Sequence, residues 1–206
     1  KRQVYKDDDG EYYMYFGGIW GGQLQRWRNG VFNSNNPTSP TAFLPNDDEP
    51  ALLPFIAKMS DDLLEFAEKP REVQILDERG KLLLAGDNER RFFEAAWVHK
   101  YNGKYYFSYS TGDTHFICYA IGDNPYGPFT YKGKILNPVV GWTSHHSICE
   151  FKGKWYLFYH DSSLSKGVTH LRSIKIAEIQ YDNDGLIRTL EPYNDCLLYT
   201  SPSPRD

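Results

Sequence analysis

The sequence is poor in the residues that mark several common classes of protein. Only three of its 206 residues are cysteine, an odd number without zinc-type spacing, so neither a disulfide framework nor a structural zinc site is expected. No run of lysine and arginine could follow a phosphate backbone and the formal net charge is -4, so nucleic acid is not expected as a partner. No stretch approaches the roughly 20 apolar residues that span a bilayer, so no membrane partner is expected.

Aromatic residues are abundant instead. They make up 16% of the chain and stand in short runs beside glycine, a pattern that favours strands. Aromatic rings also stack on the apolar faces of sugars, so the same composition permits a carbohydrate site. Most of these rings are expected to serve packing, and composition alone does not decide the function.

Three segments share one pattern, a tight turn that contains glycine followed by an aromatic-rich strand. They are residues 8–16, 101–109 and 151–159. Asp-Gly and Asn-Gly turns between such runs are strong hairpin signals, because both central residues tolerate a positive φ. The glycines of the last two turns are 50 residues apart, a period typical of propeller blades, and a polar loop at 29–54 lengthens the first interval.

Further strand candidates lie between these repeats, and helix signals are thin. The candidates are residues 72–76, 81–85, 116–121, 129–136 and 170–181, with one more short strand after the turn at 182–185. Residues 60–69 could form a turn or two of amphipathic helix, with a propeller loop as the alternative. The sequence therefore predicts an all-β chain with about three to three and a half propeller blades, too few to close a ring, which indicates that an N-terminal part is missing.

Both ends of the chain resemble translated sequencing-adapter DNA. Residues 196–206 form a tail rich in serine and proline without periodicity, and the chain opens on Lys1, Arg2 and Gln3. We expect the tail, and with it the first few residues, to be foreign to the fold; a natural disordered tail is the alternative. Whether the protein is cytoplasmic, periplasmic or secreted stays open.

Residues 90–98 hold one carboxylate, Glu94, among two phenylalanines, two alanines and a tryptophan. Apolar neighbours solvate a carboxylate poorly and raise its pKa, as a general acid requires. We therefore expect a raised pKa for Glu94. The alternative is a structural carboxylate that pairs with Arg90 or Arg91.

Two further segments carry groups suited to binding. His145 and His146 are adjacent just before a strand, so their side chains point to opposite faces and at most one faces a pocket. Arg172, in an alternating strand, must find a carboxylate or a substrate hydroxyl, with a salt bridge to a neighbouring blade as the alternative. Trp20 and Thr114 lie in loops that follow strands, where a ligand could approach closely.

Taken together, these segments resemble glycoside hydrolase family 43, the five-bladed propellers that include β-xylosidases and α-L-arabinofuranosidases. The match runs from Asp7 to about Pro192 and is most specific at residues 93–97, 127–129, 144–148 and 155–161. The resemblance implies an incomplete five-bladed propeller, with residues 1–195 as a partial catalytic domain. It also implies a hydrolase that removes arabinofuranosyl or xylosyl units from hemicellulose oligosaccharides with inversion, through three carboxylates.

Carried over by position, the resemblance implies a role for each candidate residue. Glu94 matches the general acid, and His145 matches a histidine at the funnel centre that reaches a calcium ion through water. The residues that match substrate contacts are Arg172, Phe93, Trp20, Thr114 and His146.

The sequence departs from the family at its start. The family places a base Asp in its first blade and a modulator Asp just before the turn that Asp7, Asp8 and Asp9 open here, and neither has a counterpart in this chain. These three aspartates have the pattern of turn residues. We therefore expect the 206-residue chain to be inactive. A non-catalytic carbohydrate-binding propeller is the alternative function, whereas the sucrose- and fructan-acting propellers carry their Glu in a different context.

Overall fold

The computed structural model describes residues 2–20, 23–28, 31–33, 43–142 and 144–193. Across these ranges the chain is built of strands, and its single helical element is the 3₁₀ turn Leu24–Arg26, so the all-β prediction is confirmed. None of the described residues belongs to a helix that is long and apolar enough to cross a membrane. The predicted foreign tail at 196–206 lies outside the described residues.

The first sheet contains four antiparallel strands, β1 (Arg2–Lys6), β2 (Tyr12–Phe16), β5 (Phe55–Lys58) and β6 (Arg71–Glu72). A small ribbon of β3 (Trp27–Arg28) and β4 (Val31–Phe32) interrupts it in sequence. The expectation that the first few residues are foreign to the fold is wrong for residues 2–6. They pair with β2 along their whole length, because the aspartate turn closes a regular hairpin.

The second sheet follows the spatial order β7, β11, β10, β9, β8, and the third follows β12, β13, β14. The strands of the second sheet are β7 (Ile75–Leu76), β8 (Glu94–Tyr101), β9 (Lys104–Ser110), β10 (Ile117–Gly122) and β11 (Phe129–Leu136). Those of the third are β12 (His146–Phe151), β13 (Lys154–Asp161) and β14 (Ser173–Ile179). Neighbours are antiparallel except β7 and β11, which run parallel.

The three predicted hairpins are confirmed as β1–β2, β8–β9 and β12–β13. Asn102 and Gly103 have φ of 47° and 74°, and Lys152 and Gly153 have φ of 52° and 76°, so both central residues of these turns are left-handed. That conformation matches the twist of the flanking strands. A local turn signal thus fixed the register of the β8–β9 and β12–β13 pairs.

Three local predictions need correction, whereas residues 60–69 form turns, the loop alternative. Residues 81–85 form isolated bridges rather than a strand. The short strand expected after 182–185 is a single bridge between Tyr181 and Ile187. Arg172 lies just before β14 rather than inside a strand.

β9 packs on both faces, which accounts for its run of aromatic residues. One face contributes to the core between the first and second sheets, and the other to the core between the second and third. The residues of the first face are Tyr105, Phe107 and Tyr109; those of the second begin with Tyr106. Burial of both faces leaves only the first residue of the strand, Lys104, exposed.

The edge strands β1, β8 and β12 meet at one side of the three sheets. β8 lies between the other two, and the Gln3 side chain of β1 bridges to it. The Gln3 Nε2 donates to the carbonyl of Val98 over 2.7 Å, and the Val98 N–H donates back to Oε1. An amide side chain thus replaces one pair of ladder bonds between two sheets.

Candidate active site

Glu94 is the first residue of β8, beside a break in the strand's pairing. Glu94 pairs in register with Ser110, and a bulge follows before pairing resumes at Trp97. Within the bulge Ala95 is fully buried and has a φ of 66°, a conformation that costs an alanine about 1–2 kcal/mol. Bulges of this kind redirect side chains beside functional sites, and here the bulge sets the direction of the Glu94 carboxylate.

The Glu94 carboxylate faces His145, with its Oε1 3.2 Å from the imidazole Nε2. Both side chains are partly exposed, Glu94 by 23% and His145 by 31%, so a ligand can reach them. The alternative partners bind elsewhere: Arg90 contacts Asp87 and Glu78, while Arg91 donates to Ala85 and Asn88. The structure therefore pairs Glu94 with the histidine and not with either arginine.

The prediction of a raised pKa for Glu94 is wrong for this chain. Burial does raise the pKa of the carboxyl, but the hydrogen bond and charge of His145, together with the charge of Arg172, hold the pKa below its ordinary value. The apolar residues next to Glu94 in sequence gave no indication that His145, 51 positions later, contacts it. The carboxylate is ionised at neutral pH in this environment.

The two adjacent histidines point in opposite directions, as their alternation in sequence requires. His146 is only 2% exposed, and its Nε2 lies 2.7 Å from the hydroxyl of Ser108. The structure places His146 in the interior, away from the accessible Glu94–His145 pair. This corrects its expected role as a sugar contact, because its ring is enclosed between two sheets.

Phe93 brings a second loop to the site. Its carbonyl accepts a 3.0 Å hydrogen bond from the N–H of Ile19, which holds the loop carrying Trp20 next to Glu94. Trp20 is 43% exposed, whereas the neighbouring Gly21 and Gly22 lie outside the described residues. An exposed indole is suited to stacking on a sugar.

The Phe93 ring also packs directly on Gly112. A Cβ built at that glycine would lie 2.6 Å from the ring, and its φ of 85° favours glycine as well. In the same loop the Thr114 hydroxyl lies 2.7 Å from that of Thr111 and donates to the carbonyl of Asn88 over 2.7 Å. Thr114 therefore joins two loops behind Phe93.

Arg172 is exposed, and its Nε donates to the carbonyl of Thr169 over 3.0 Å. Its positive charge contributes to the lowered pKa of Glu94. Of the predicted residues the structure thus brings Glu94 and His145 into contact and joins the loop of Trp20 to Phe93 by a backbone hydrogen bond.

Sequence reasoning missed three polar residues behind this site. Ser110, Ser144 and His160 connect β9, the segment before β12, and β13. The available signal was the serine at 108 and again at 110 in an otherwise aromatic strand, which places two hydroxyls on one buried face. The segment that contains His160 stood out in sequence, but nothing there indicated its partner.

The expected calcium ion finds few ligands in the part of the chain that the structure describes. No group of three His, Cys, Asp or Glu side chains comes together there. Calcium takes six to eight oxygen ligands, and the Glu94–His145 pair supplies one carboxylate and an imidazole. These residues do not form a calcium site by themselves.

Comparison with known proteins defines the class to which this fold and site belong. Residues 54–187 match the sequence profile of the glycosyl hydrolases family 43, and the chain belongs to this family. A xylosidase/arabinosidase of Bacteroides ovatus is 65% identical over 188 residues, which are 91% of this chain and 56% of that protein. A xylosidase/arabinosidase 43A of Humicola insolens is 59% identical, over 92% of this chain and 58% of its own length.

Solved structures give the same result. The crystal structure of a family 43 β-xylosidase/α-arabinofuranosidase from a compost metagenome, in complex with xylotriose and in a calcium-free form, superposes with a TM-score of 0.89 at 65% identity. The match covers 94% of this chain and 58% of that one. A family 43 enzyme of Xanthomonas citri complexed with xylotriose gives 0.87 at 56% identity, over 93% and 56% of the two chains. This chain therefore spans a little over half the length of its relatives.

Proposed function

We propose that this chain is part of the catalytic domain of an inverting glycosidase that releases xylosyl or arabinofuranosyl units from hemicellulose oligosaccharides. The observation that carries the proposal is the accessible Glu94 carboxylate, which follows directly on a loop contact of Phe93, precedes a strand bulge and contacts His145. The similarity to xylosidase/arabinosidases at 65% and 59% identity supports the substrate class.

We propose further that the three sheets are blades of a five-bladed propeller, with residues 1–195 as its partial catalytic domain. In each blade the edge strand nearest the axis would be β1, β8 or β12, the three strands that meet at one side. Glu94 opens β8 and His145 immediately precedes β12, so equivalent ends of two inner strands supply the site. This placement is what a central funnel requires.

Glu94 is proposed to protonate the leaving glycosidic oxygen. A general acid must carry a proton, yet His145 holds the pKa of Glu94 low in this chain. A second carboxylate near Glu94 would raise that pKa by charge repulsion. The modulator Asp of the family has no counterpart here, and we propose that in the longer protein it raises the pKa of Glu94 in this way.

The base is the second missing part. Inversion needs a carboxylate that activates water on the face of the sugar opposite the acid, about 6.5–9.5 Å from it. Two buried carboxylates of this chain already have cationic partners, since Asp7 contacts Lys100 and Asp161 contacts Lys175. We therefore expect a longer protein to supply the base and the 206-residue chain to lack turnover.

The substrate contacts and the cation complete the proposal. Phe93, Trp20 and Arg172 bind the sugar, while Thr114 acts through the loop that it ties behind Phe93. A calcium ion held mainly by waters would be reached by His145 through one of them, and no step of the reaction depends on it here.

The test compares the 206-residue chain with a protein extended at its N-terminus by the coding sequence upstream of Lys1. Both are assayed for release of xylose and arabinose from arabinoxylo-oligosaccharides. We expect turnover only in the extended protein. Turnover by the short chain would contradict the missing base. If the extended protein binds xylotriose without turnover, the carbohydrate-binding alternative is correct.

A further inference from the structure

The pairing of β12 with β13 changes character where it reaches the site. The register ends with His146 opposite Tyr159, and the next pair would place His145 opposite His160. There the backbone N–H of His145 donates to the ring Nε2 of His160 over 3.0 Å instead of to a backbone carbonyl. The two rings lie 6.0 Å apart at an interplanar angle of 33°. Next to the accessible carboxylate, the His160 side chain thus replaces a backbone carbonyl as the acceptor of a strand hydrogen bond.

Ser144 supplies a second side-chain group that bonds to the backbone in place of a strand partner. Its buried hydroxyl donates to the carbonyl of His160 over 2.8 Å and accepts from the N–H of His160 over 3.2 Å. The carbonyl of Ser144 in turn accepts from the hydroxyl of Ser110, the register partner of Glu94. Hydrogen bonds therefore connect Ser110, Ser144, His160 and His145, and His145 contacts Glu94, which is itself the strand partner of Ser110.

We propose that His160 is a positioning residue that fixes His145 against Glu94, an inference that rests on the proposed function of that carboxylate. Because Nε2 of His160 accepts a hydrogen bond, the proton of its neutral ring is on Nδ1. An aliphatic residue at 160 offers no acceptor, so the N–H of His145 loses its bond and the start of β12 loses its fixed direction. A glutamine can present its amide oxygen near the position of Nε2.

The first test measures the hydrogen bond itself by NMR in the 206-residue chain. His160→Ala should make the amide of His145 exchange about fivefold faster or more, as expected for one lost hydrogen bond, while His160→Gln retains protection. The control is His170→Gln, an exposed histidine outside the network. Unchanged exchange of β13 amides shows that a variant is folded.

The second test measures the coupling between His145 and Glu94. In the wild-type chain Glu94→Gln should move the ring nitrogen signals of His145, because their atoms are 3.2 Å apart. The same response should persist in His160→Gln and disappear in His160→Ala. If His160→Ala does not fold, Ser144→Ala replaces it and should show the same loss. A full response of His145 to Glu94→Gln in the alanine variants overturns the proposal.

The extended protein separates this inference from the proposed function. There His160→Ala should lower kcat with KM little changed, and His160→Gln should restore most of kcat. An unchanged kcat in His160→Ala overturns the positioning role. If the extended wild type itself has no turnover, the proposed function fails, and the two NMR tests still decide whether His160 fixes His145.

Discussion

β8 carries an ionisable side chain near each of its ends, and the two have opposite surroundings. Glu94, at the start, is partly exposed and faces the polar network of His145 and its neighbours. His99, near the other end, is 4% exposed and stacks on Tyr106 with ring centroids 5.0 Å apart. Its Nε2 lies 2.8 Å from the hydroxyl of Tyr181. Burial lowers the pKa of His99 to about 3.

The different surroundings of Glu94 and His99 follow from the residues on one face of β9, the neighbouring strand. Along β9 that face presents Tyr106, then Ser108, then Ser110, so it turns from aromatic to polar within five residues. The aromatic end packs against the third sheet around His99, and the polar end holds the segment before β12. β9 therefore contributes to core packing at one end and to the candidate site at the other.

The largest effect is expected at the polar end. Glu94→Gln keeps the size of the side chain but cannot donate the proton, so turnover of xylo-oligosaccharides by the extended protein should fall about 10²–10⁴-fold. Stability should change little, since the carboxylate is partly exposed. The measurement pairs steady-state kinetics with urea unfolding. Loss of folding instead of turnover would assign Glu94 to structure.

At the aromatic end a substitution should lower the stability of the protein. Tyr181 stacks on Tyr101 with centroids 3.7 Å apart, so Tyr181→Ala should lower the free energy of unfolding by about 3 kcal/mol. Tyr181→Phe keeps the ring and loses only the bond to His99, which should cost about 1 kcal/mol. Urea unfolding measures both. Equal costs would mean that the hydroxyl, not the stack, stabilises this end.

Low pH should destabilise the protein through His99, at the aromatic end of β8. The unfolded chain binds a proton on His99 near pH 6.5, whereas the folded chain binds it only near pH 3. Between these values the free energy of unfolding therefore falls with falling pH by up to about 1.4 kcal/mol per unit. His99→Gln should flatten this slope between pH 6.5 and 4.5, above the range where carboxylates titrate. Parallel slopes for the two proteins would contradict a neutral His99.

The smallest effect concerns the bulge that directs Glu94. Ala95 and Ala96 are both fully buried, but Ala95 alone of the two has a positive φ. Ala95→Gly should relieve that strain, while Ala96→Gly only gains backbone freedom in the unfolded chain. Thermal unfolding should find Ala96→Gly less stable than Ala95→Gly by about 1–2 kcal/mol. Equal stability would contradict strain at the bulge.

Local signals in the sequence predicted much of the fold. The Asn102–Gly103 turn fixed the β8–β9 hairpin, because two left-handed residues leave a chain few other conformations. Alternation likewise placed His145 and His146 on opposite faces. Glu94 stands out in sequence because one carboxylate among apolar residues is uncommon, and its role as the acid stays a prediction.

The contacts between sheets could not be predicted in the same way. His99 and Tyr181 meet across 82 residues, and neither has a local pattern that indicates the other. The pKa of Glu94 was predicted in the wrong direction for this reason, since its controlling neighbour comes from another sheet. Likewise, the first residues of the chain look foreign in composition but pair with β2.

The most direct test of Glu94 as the general acid asks whether the loss of activity in Glu94→Gln depends on the leaving group of the substrate. In the extended protein, kcat/KM is compared between wild type and Glu94→Gln for xylobiose and for dinitrophenyl xyloside, whose leaving phenolate needs no proton. Our account predicts a loss of about 10²–10⁴-fold for xylobiose and a far smaller loss for the dinitrophenyl substrate. An equal loss for both substrates would contradict it.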